Sequence, residues 1–244
     1  MALCRGGELK ISGIYSYKGG EKFIKRTYPD LLTEIEKIIA SIDAESCRLK
    51  SPKDKEIARA RRAGIKRFFS PPHMNALFDW HFYRQEWDLK PRINTHDPTR
   101  LGYREIDVVK EGLGVELQFG KYSFLTYDII AKMVIFKNLG VIDAGVEICV
   151  MASMLPHMSS GIGAFEQVIW DLQTRGVADI DIPVLVLGIE SEEFAATRFK
   201  KSGGKQKQTS LPDIQYEPAV VMNRTQHLNP QMLAKVRETG KIVD

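Results

Sequence analysis

Residues 104–124, with the sequence REIDVVKEGLGVELQFGKYSF, decide the fold that we predict for this chain. In the second half, apolar residues alternate with polar or small ones, which is the period-two pattern of a strand. The alternating apolar residues are Val115, Leu117 and Phe119. Segment 111–114, EGLG, can turn the chain, so this strand is expected to pair with the preceding residues as a hairpin.

The hairpin brings two carboxylates together. Asp107 precedes Glu116 by nine positions, so the return of the chain places them side by side. Gln118 projects with Glu116, because alternate residues of a strand share a face. Neighbouring carboxylates repel unless a cation lies between them, and Mg²⁺ is commonly held by one or two carboxylates, water and substrate phosphate. The spacing indicates a magnesium site, and the alternative is a solvated hairpin with scattered charges.

Length and composition are those of a globular protein. A chain of 244 residues can bury one large core, and 43% apolar with 27% charged residues is ordinary. No apolar run is long enough for a membrane span, and the N-terminus lacks the apolar stretch of a signal peptide. The expected location is therefore the cytoplasm.

The three cysteines lie too far apart for a CxxC metal pair and are expected to be reduced thiols. They are Cys4, Cys47 and Cys149.

Positive charge is concentrated in residues 48–67, where nine Lys and Arg residues face only Asp54 and Glu56. The overall charge of +4 is weak evidence for a nucleic-acid partner. The segment is interpreted either as a solvated face or as a basic arm lying along DNA phosphates. In the second interpretation the phosphate contacts include Arg59, Arg61 and Arg62.

The remaining pattern predicts an α/β protein with a mixed central sheet flanked by helices. Strands are expected at 9–17, 145–151 and 182–189. Asp30 is expected to cap a helix that follows Pro29, and Ser70 a helix at 75–87. Two more helices are expected at 125–139 and 164–174. Residues 88–103 look irregular. We expect one endonuclease domain over 1–199. Its catalytic core is expected at about 100–190 and its DNA-facing segment at 48–67. Residues 200–244 are expected to form a flexible basic loop and a C-terminal extension of the same domain. Within that extension, 219–222 can form a strand and 230–238 a helix.

The segment 115–124, VELQFGKYSF, follows Asp107. Three further segments are SIDAE at 41–45, Ser70-Pro71 shortly before Asn75 and Trp87, and MSSG at 158–161 before Phe165-Glu166. Taken in order, these segments resemble the BglII/BstYI group of type II restriction endonucleases, which have the PD-(D/E)xK fold, and Gln118 stands where most of that superfamily has lysine. The resemblance covers roughly 31–190, and the longer N-terminal segment, the stretch 52–67 and the tail 200–244 depart from it.

The resemblance implies a restriction-endonuclease-like core that hydrolyses double-stranded DNA with Mg²⁺, for which Mn²⁺ can substitute. It implies a homodimer, a GATC-centred palindromic target cut with 5′ overhangs, and a place in a restriction-modification system. Asp107, Glu116 and the carbonyl of Leu117 would hold the ion. Gln118 would be the third catalytic residue, orienting water or phosphate because a neutral amide cannot act as a base.

By the same resemblance, Lys121 and Ser160 match positions that contact bases. Further DNA-facing positions are Tyr122, Ser123, Ser159 and Asn75. The plainer interpretations are that Lys121 is an exposed lysine and that Ser160 is a helix cap. Two other functions stay open at this point: a repair or mobile-element nuclease on the same fold, and a catalytically silent DNA-binding protein.

Overall fold

A computed structural model describes residues 7–94 and 102–194. Within these ranges the chain forms a six-stranded sheet and a separate two-stranded one. The strands are β1 (Leu9–Tyr17), β2 (Asp88–Leu89), β3 (Arg92–Asn94), β4 (Tyr103–Glu105), β5 (Val108–Lys110), β6 (Leu113–Gln118), β7 (Ala144–Val150) and β8 (Val184–Ser191). The order in the large sheet is β1-β8-β7-β6-β5-β2, and β3 pairs with β4.

The large sheet is mixed, as predicted. Strands β6, β7 and β8 are parallel, while β1 pairs antiparallel with β8, and β5 pairs antiparallel with both β6 and β2. All seven positions of β7 are buried. A strand that is buried on both faces reads as a continuous apolar run rather than an alternating one, which is why the sequence of β7 and β8 showed no period of two.

The helices of the described ranges are α1 (Gly20–Thr27), α2 (Pro29–Ser41), α3 (Asp54–Arg62), α4 (Pro71–Arg84), α5 (Tyr122–Tyr127), α6 (Met133–Asn138) and α7 (Phe165–Arg175). Between α5 and α6 the chain continues as a π-helical segment, Asp128–Lys132. Short 3₁₀ turns occupy Glu45–Cys47 and Ala152–His157. None of the helices among the described residues is long and apolar enough to cross a membrane.

Two hydrophobic cores cover the two faces of the large sheet. On one face α2 and α4 pack through residues such as Ile35 and Phe78 against Val115 and Leu117 of β6. On the other face α5, α6 and α7 pack against side chains of the neighbouring strands, such as Cys149 of β7 and Val186 of β8. Side chains of β6 that do not join the first core, including that of Glu116, therefore project toward the α5–α6 side.

The predicted hairpin is present and tight. Val108 pairs with Val115, and Lys110 pairs with Leu113. The turn is narrower than expected, because Glu111 and Gly112 alone connect the strands, with φ of 51° and 88°. Two adjacent residues with positive φ make the kind of turn whose twist matches that of paired strands.

Several local predictions were wrong in detail. Helix α2 begins at Pro29, so Asp30 lies in its first turn and is not the cap. Ser70 occupies the N-cap position of α4 but makes no side-chain cap hydrogen bond, and α4 spans Pro71–Arg84 rather than 75–87. The helix predicted at 125–139 begins at Tyr122 and is interrupted by the π-helical segment.

Residues 88–103, expected to be irregular, contain β2 and β3. Helix α1 was not predicted. Cys47 and Cys149 are buried free thiols, as expected. Cys4, the segments 219–222 and 230–238, and the whole extension 200–244 lie outside the described residues, so the proposed division at residue 199 stays a prediction.

Candidate active site

Asp107 and Glu116 are neighbours across the hairpin. The pairing of Val108 with Val115 places Asp107, just before β5, opposite Glu116 of β6. A hydrogen bond also holds the Asp107 carboxylate in one orientation, because its Oδ2 accepts the backbone N–H of Leu117 at 2.9 Å. The hairpin therefore fixes both the position and the orientation of this carboxylate.

A lysine that the sequence pattern did not single out lies on the outer side of Asp107. The Nζ of Lys90 is 3.5 Å from Asp107 Oδ1 and 3.1 Å from Asp79 Oδ2. The backbone N–H of Lys90 donates to the carbonyl oxygen of Asp107 at 2.8 Å. Lys90 thus holds the segment before β5 by its main chain and offsets the Asp107 charge with its side chain.

Glu116 faces a second lysine on the other side. Its side chain is only 3% exposed, and its Oε1 lies 2.8 Å from Lys132 Nζ. The same Nζ lies 2.8 Å from Oδ1 of Asp128. Asp128 and Lys132 are the first and last residues of the π-helical segment, so the interruption of the helix carries the two side chains that meet Glu116.

Gln118 projects toward the same cluster, as the period of two predicted. Its Nε2 donates to Asp128 Oδ2 at 2.9 Å, and its Oε1 accepts from the backbone N–H of Gly120 at 2.9 Å. A primary amide has two donor hydrogens and two acceptor lone pairs. One N–H and one lone pair thus remain for another group.

A second glutamate is buried beside Glu116. Glu147 pairs in register with Glu116 on the adjacent parallel strand β7, and it is 0% exposed. Neither of its carboxylate oxygens has a hydrogen-bond partner in the described part of the chain. The site therefore has a larger acidic cluster than the sequence predicted: Asp107, Glu116, Asp128 and Glu147.

Burial and charge shift the ionisation of this cluster. Burial, reinforced by the nearby Asp107, raises the pKa of Glu116 well above its usual value, although Lys132 opposes the shift. Burial also raises the pKa of Glu147, with Asp128 and Glu116 adding to it. Burial alone would lower the pKa of Lys132, but the carboxylates of Glu116 and Asp128 outweigh it and raise that pKa. Lys132 therefore stays charged near neutral pH.

Three of the predicted DNA-facing residues form a second group. Lys121, Ser159 and Ser160 line one cavity of about 300 Å³, together with lysines of the basic segment. Lys121 also pairs with Ile162 in an isolated β-bridge. The start of α5 and the loop 158–162 therefore form one surface.

The basic segment is docked on that loop by buried contacts. Oε1 of Glu56, a residue only 3% exposed, accepts the backbone N–H of Ser160 at 2.7 Å. Its other oxygen accepts the N–H of Lys53 at 3.0 Å. These N–H groups outweigh the effect of burial and lower the pKa of Glu56. The ionised carboxylate of Glu56 therefore links α3 to the loop 158–162 by a hydrogen bond.

The three arginines of α3 differ in surroundings. Arg59 points inward, donating to the carbonyl oxygen of Met158 at 2.5 Å and lying over the ring of Phe68 at 5.1 Å. Arg61 and Arg62 are exposed. The structure therefore separates one arginine engaged with the loop from two that are free to meet phosphates.

The other predicted DNA-facing residues differ in their exposure and hydrogen bonding. The hydroxyl of Tyr122 donates to Asp171 Oδ2 at 2.7 Å, and Ser123 is exposed. The Oγ of Ser159 and the Oδ1 of Asn75 are buried, and neither has a hydrogen-bond partner among the described residues. Tyr122 is thus already engaged with α7, whereas Ser159 and Asn75 have bonding capacity to spare.

Comparison with known proteins identifies this arrangement. The family model for the restriction endonucleases BglII/BglIII matches residues 12–189. The chain belongs to this family. It is therefore a type II restriction endonuclease, a hydrolase that binds DNA and cuts it at specific sites.

One solved structure supports the fold of this endonuclease. A crystal structure of restriction endonuclease BglII complexed with a DNA 16-mer is similar to it with a TM-score of 0.58 and 18% identity, over 74% of this chain and 77% of that one. A structure of free BglII has a TM-score of 0.45 and 16% identity, over 74% and 78% of the two chains. No curated protein sequence matches the endonuclease.

The donor set of the endonuclease fits a divalent ion that takes few protein ligands. Asp107 keeps 24% of its side chain exposed beside the nearly buried Glu116. Among the described residues, no three His, Cys, Asp or Glu side chains are placed to hold an ion by themselves. Two carboxylates completed by water and substrate phosphate are the usual surroundings of Mg²⁺, so these residues fit an ion bound together with DNA.

Sequence reasoning missed four charged residues of the endonuclease site: Lys90, Asp128, Lys132 and Glu147. Two signals were available. Glu147 is a lone acid inside the apolar run GVEICV, and burial of an acid in such a run shifts its ionisation. Asp128 and Lys132 stand four positions apart on a predicted helix, a spacing that places both on one face.

Proposed function

We propose that this endonuclease hydrolyses double-stranded DNA with Mg²⁺ held by Asp107 and Glu116. The observation that carries the proposal is the placement of Asp107 opposite Glu116, with its carboxylate fixed by the Leu117 N–H. A divalent ion supplies Lewis-acid activation of water and neutralises charge that develops on the phosphate. Mn²⁺ prefers similar oxygen ligands and is expected to substitute.

The other residues of the site have separate roles. The carbonyl of Leu117, between the two projecting side chains of β6, is the proposed third oxygen ligand. Gln118 holds the loop by its contact with Gly120 and has one N–H left to orient water or a phosphate oxygen. It cannot accept a proton as a base near neutral pH.

We also propose that the surface around Lys121 and Ser160 reads the DNA sequence. A lysine can donate to the acceptors of guanine, and a serine hydroxyl can donate or accept at a base edge. Support comes from the shared cavity and from the Glu56 contact, which holds the Ser160 backbone in place. Nearby positions that contribute are Tyr122, Ser123, Ser159 and Asn75.

Arg61 and Arg62 are proposed to contact phosphates, and Arg59 to hold the loop. The exposure of the first two and the inward hydrogen bond of the third support this division. Phosphate contacts of this kind add affinity without sequence preference.

The proposed target is a short palindrome with a central GATC, cut to leave 5′ overhangs by a homodimer. A two-fold dimer presents the same surface to each half-site, so each protomer cuts one strand. The proposed setting is a restriction-modification system in the cytoplasm. Support for duplex DNA as the substrate comes from the similar fold of BglII, whose structure was solved with DNA.

The test is digestion of a DNA of high sequence complexity with Mg²⁺, with Mn²⁺ and with EDTA, followed by sequencing of all ends. The expected result is ends at one palindrome, in the two metals only. A smear of ends would favour a repair or mobile-element nuclease, and binding without cleavage would favour a silent DNA-binding protein. Glu116→Gln is the inactive control, and Glu111→Gln, which changes an exposed acid in the same hairpin, is the matched active one.

A further inference from the structure

Lys132 bridges the acidic cluster from the helical side. Its Nζ lies 2.8 Å from Glu116 Oε1 and 2.8 Å from Asp128 Oδ1. Because Gln118 donates to the other oxygen of Asp128, a continuous chain of contacts runs from Gln118 through Asp128 and Lys132 to Glu116. The two polar side chains of β6 are thus joined through the π-helical segment.

The burial of Lys132 strengthens the effect of its positive charge on the nearby carboxylates. Its side chain is 16% exposed, whereas that of Lys90, on the Asp107 side, is 39% exposed and its Nζ stands 3.5 Å from the nearest Asp107 oxygen. Solvent screens a buried charge less than an exposed one. Of these two lysines, Lys132 therefore imposes the stronger fixed positive charge on the carboxylates.

Gln118 cannot supply that charge. Its amide is neutral and already has one N–H and one lone pair engaged. An ammonium near a reacting phosphate or its ligands stabilises developing negative charge. In this chain the ammonium beside Glu116 comes from a helix residue fourteen positions after Gln118 in the sequence.

We propose that Lys132 is a positioning residue for DNA cleavage: it fixes the carboxylate of Glu116 and supplies the positive charge that Gln118 lacks. The inference rests on the proposed function, in which Glu116 is a metal ligand. Lys132 acts through Glu116. A purely structural ion pair would stabilise the fold without altering the rate of the folded enzyme.

The experiment measures single-turnover cleavage of a short duplex containing the target, at saturating DNA and Mg²⁺. Lys132→Met removes the charge and keeps a long apolar stem, Lys132→Arg keeps the charge, and Gln118→Lys/Lys132→Met moves an ammonium onto β6. Lys137→Met, on α6, is the matched control. Two readouts do not depend on activity: DNA affinity in Ca²⁺, and the melting temperature in EDTA and in Ca²⁺.

We expect Lys132→Met to cleave about 100-fold more slowly, the usual loss when one fixed electrostatic group is removed. Its DNA affinity should change less than about threefold, since the loss concerns the chemical step. Its melting temperature should fall in EDTA and recover in Ca²⁺ more than that of the wild type, because a divalent ion replaces the missing charge. Lys132→Arg and the double variant should each regain at least about tenfold in rate over Lys132→Met.

Cleavage by Lys132→Met within about threefold of the wild type would overturn the inference. So would a loss of rate that neither Lys132→Arg nor the double variant restores. If Lys132→Met does not fold, Lys132→Gln, which also removes the charge, takes its place in every comparison under the same criteria. When the wild type cleaves and Glu116→Gln does not, a failure concerns Lys132 alone. A wild type that never cleaves, or an active Glu116→Gln, overturns the proposed function instead.

Discussion

Glu116 and Glu147 lie side by side on adjacent parallel strands, paired in register and almost completely buried. Two ionised carboxylates in such a position repel each other, and burial further disfavours their charge. Lys132 reaches Glu116, but neither oxygen of Glu147 has a hydrogen-bond partner among the described residues. The pair therefore has an asymmetric environment, with one glutamate compensated and the other not.

Glu147→Gln should stabilise the protein increasingly as the pH rises. Burial raises the pKa of Glu147 in the folded protein, so the fold retains a proton that the unfolded chain releases. Stability of the wild type then falls as the pH rises from the unfolded pKa toward the folded one, by up to about 1.4 kcal/mol per pH unit. Glutamine does not titrate and escapes this loss.

The measurement is the melting temperature of both proteins from about pH 5 to about pH 8. The advantage of Glu147→Gln should grow across that range, and Glu111→Gln, at an exposed position, should show no such trend. A difference that stays constant with pH would mean that Glu147 is ionised in the folded protein.

Asp107→Asn and Glu116→Gln should each reduce cleavage to about 1% of the wild type or less, because each removes a charged ligand of the proposed ion. Asparagine keeps an oxygen that can accept the Leu117 N–H, so Asp107→Asn tests the charge with little change in the hairpin. Duplex binding in Ca²⁺-free buffer should be retained, since phosphate repulsion by the carboxylate falls. Cleavage clearly above that level in both variants would refute the ligand assignment.

Arg61→Gln/Arg62→Gln should weaken binding to specific and non-specific duplexes alike. The slope of log K against log [salt] should become shallower by up to about two units, one for each lost phosphate contact. Arg59→Gln should leave the slope unchanged and lower the melting temperature, because Arg59 donates to the Met158 carbonyl. An unchanged slope in the double variant would identify α3 as a solvated face.

Lys121→Ala and Ser160→Ala should change which sequences are cut. Loss of a lysine donor at a base edge costs about 1–3 kcal/mol at one base-pair position, and loss of a serine contact about 1 kcal/mol. Relaxed preference should appear at symmetric positions of the two half-sites in a library of near-cognate duplexes. A uniform drop in rate with the order of preference unchanged would show that these residues only position the backbone.

Glu56→Gln is the natural companion to that experiment. The two carboxylate oxygens of Glu56 accept the N–H groups of Ser160 and Lys53. The substitution removes the negative charge and leaves one oxygen that can accept. We expect looser discrimination at the position read by Ser160, with the metal dependence of cleavage unaltered. Equal discrimination in wild type and variant would mean that the loop keeps its place without Glu56.

The sequence by itself determined the hairpin that carries Asp107 and Glu116. The alternation of Val115, Leu117 and Phe119 and a turn containing Gly112 are local properties, and a pairing of short range follows from them. The buried strands β7 and β8 were equally readable as apolar runs. For the same reason the face shared by Glu116 and Gln118 was predicted correctly.

Only the tertiary structure decided what surrounds Glu116. The register of β7 on β6 places Glu147 beside it, and the packing of the π-helical segment brings Lys132 to it. Contacts of this kind depend on how separate elements pack, which no local pattern encodes. The same holds for Glu56 and Ser160, which meet across 104 positions of sequence, because a buried carboxylate is stable only where the fold brings N–H donors to it.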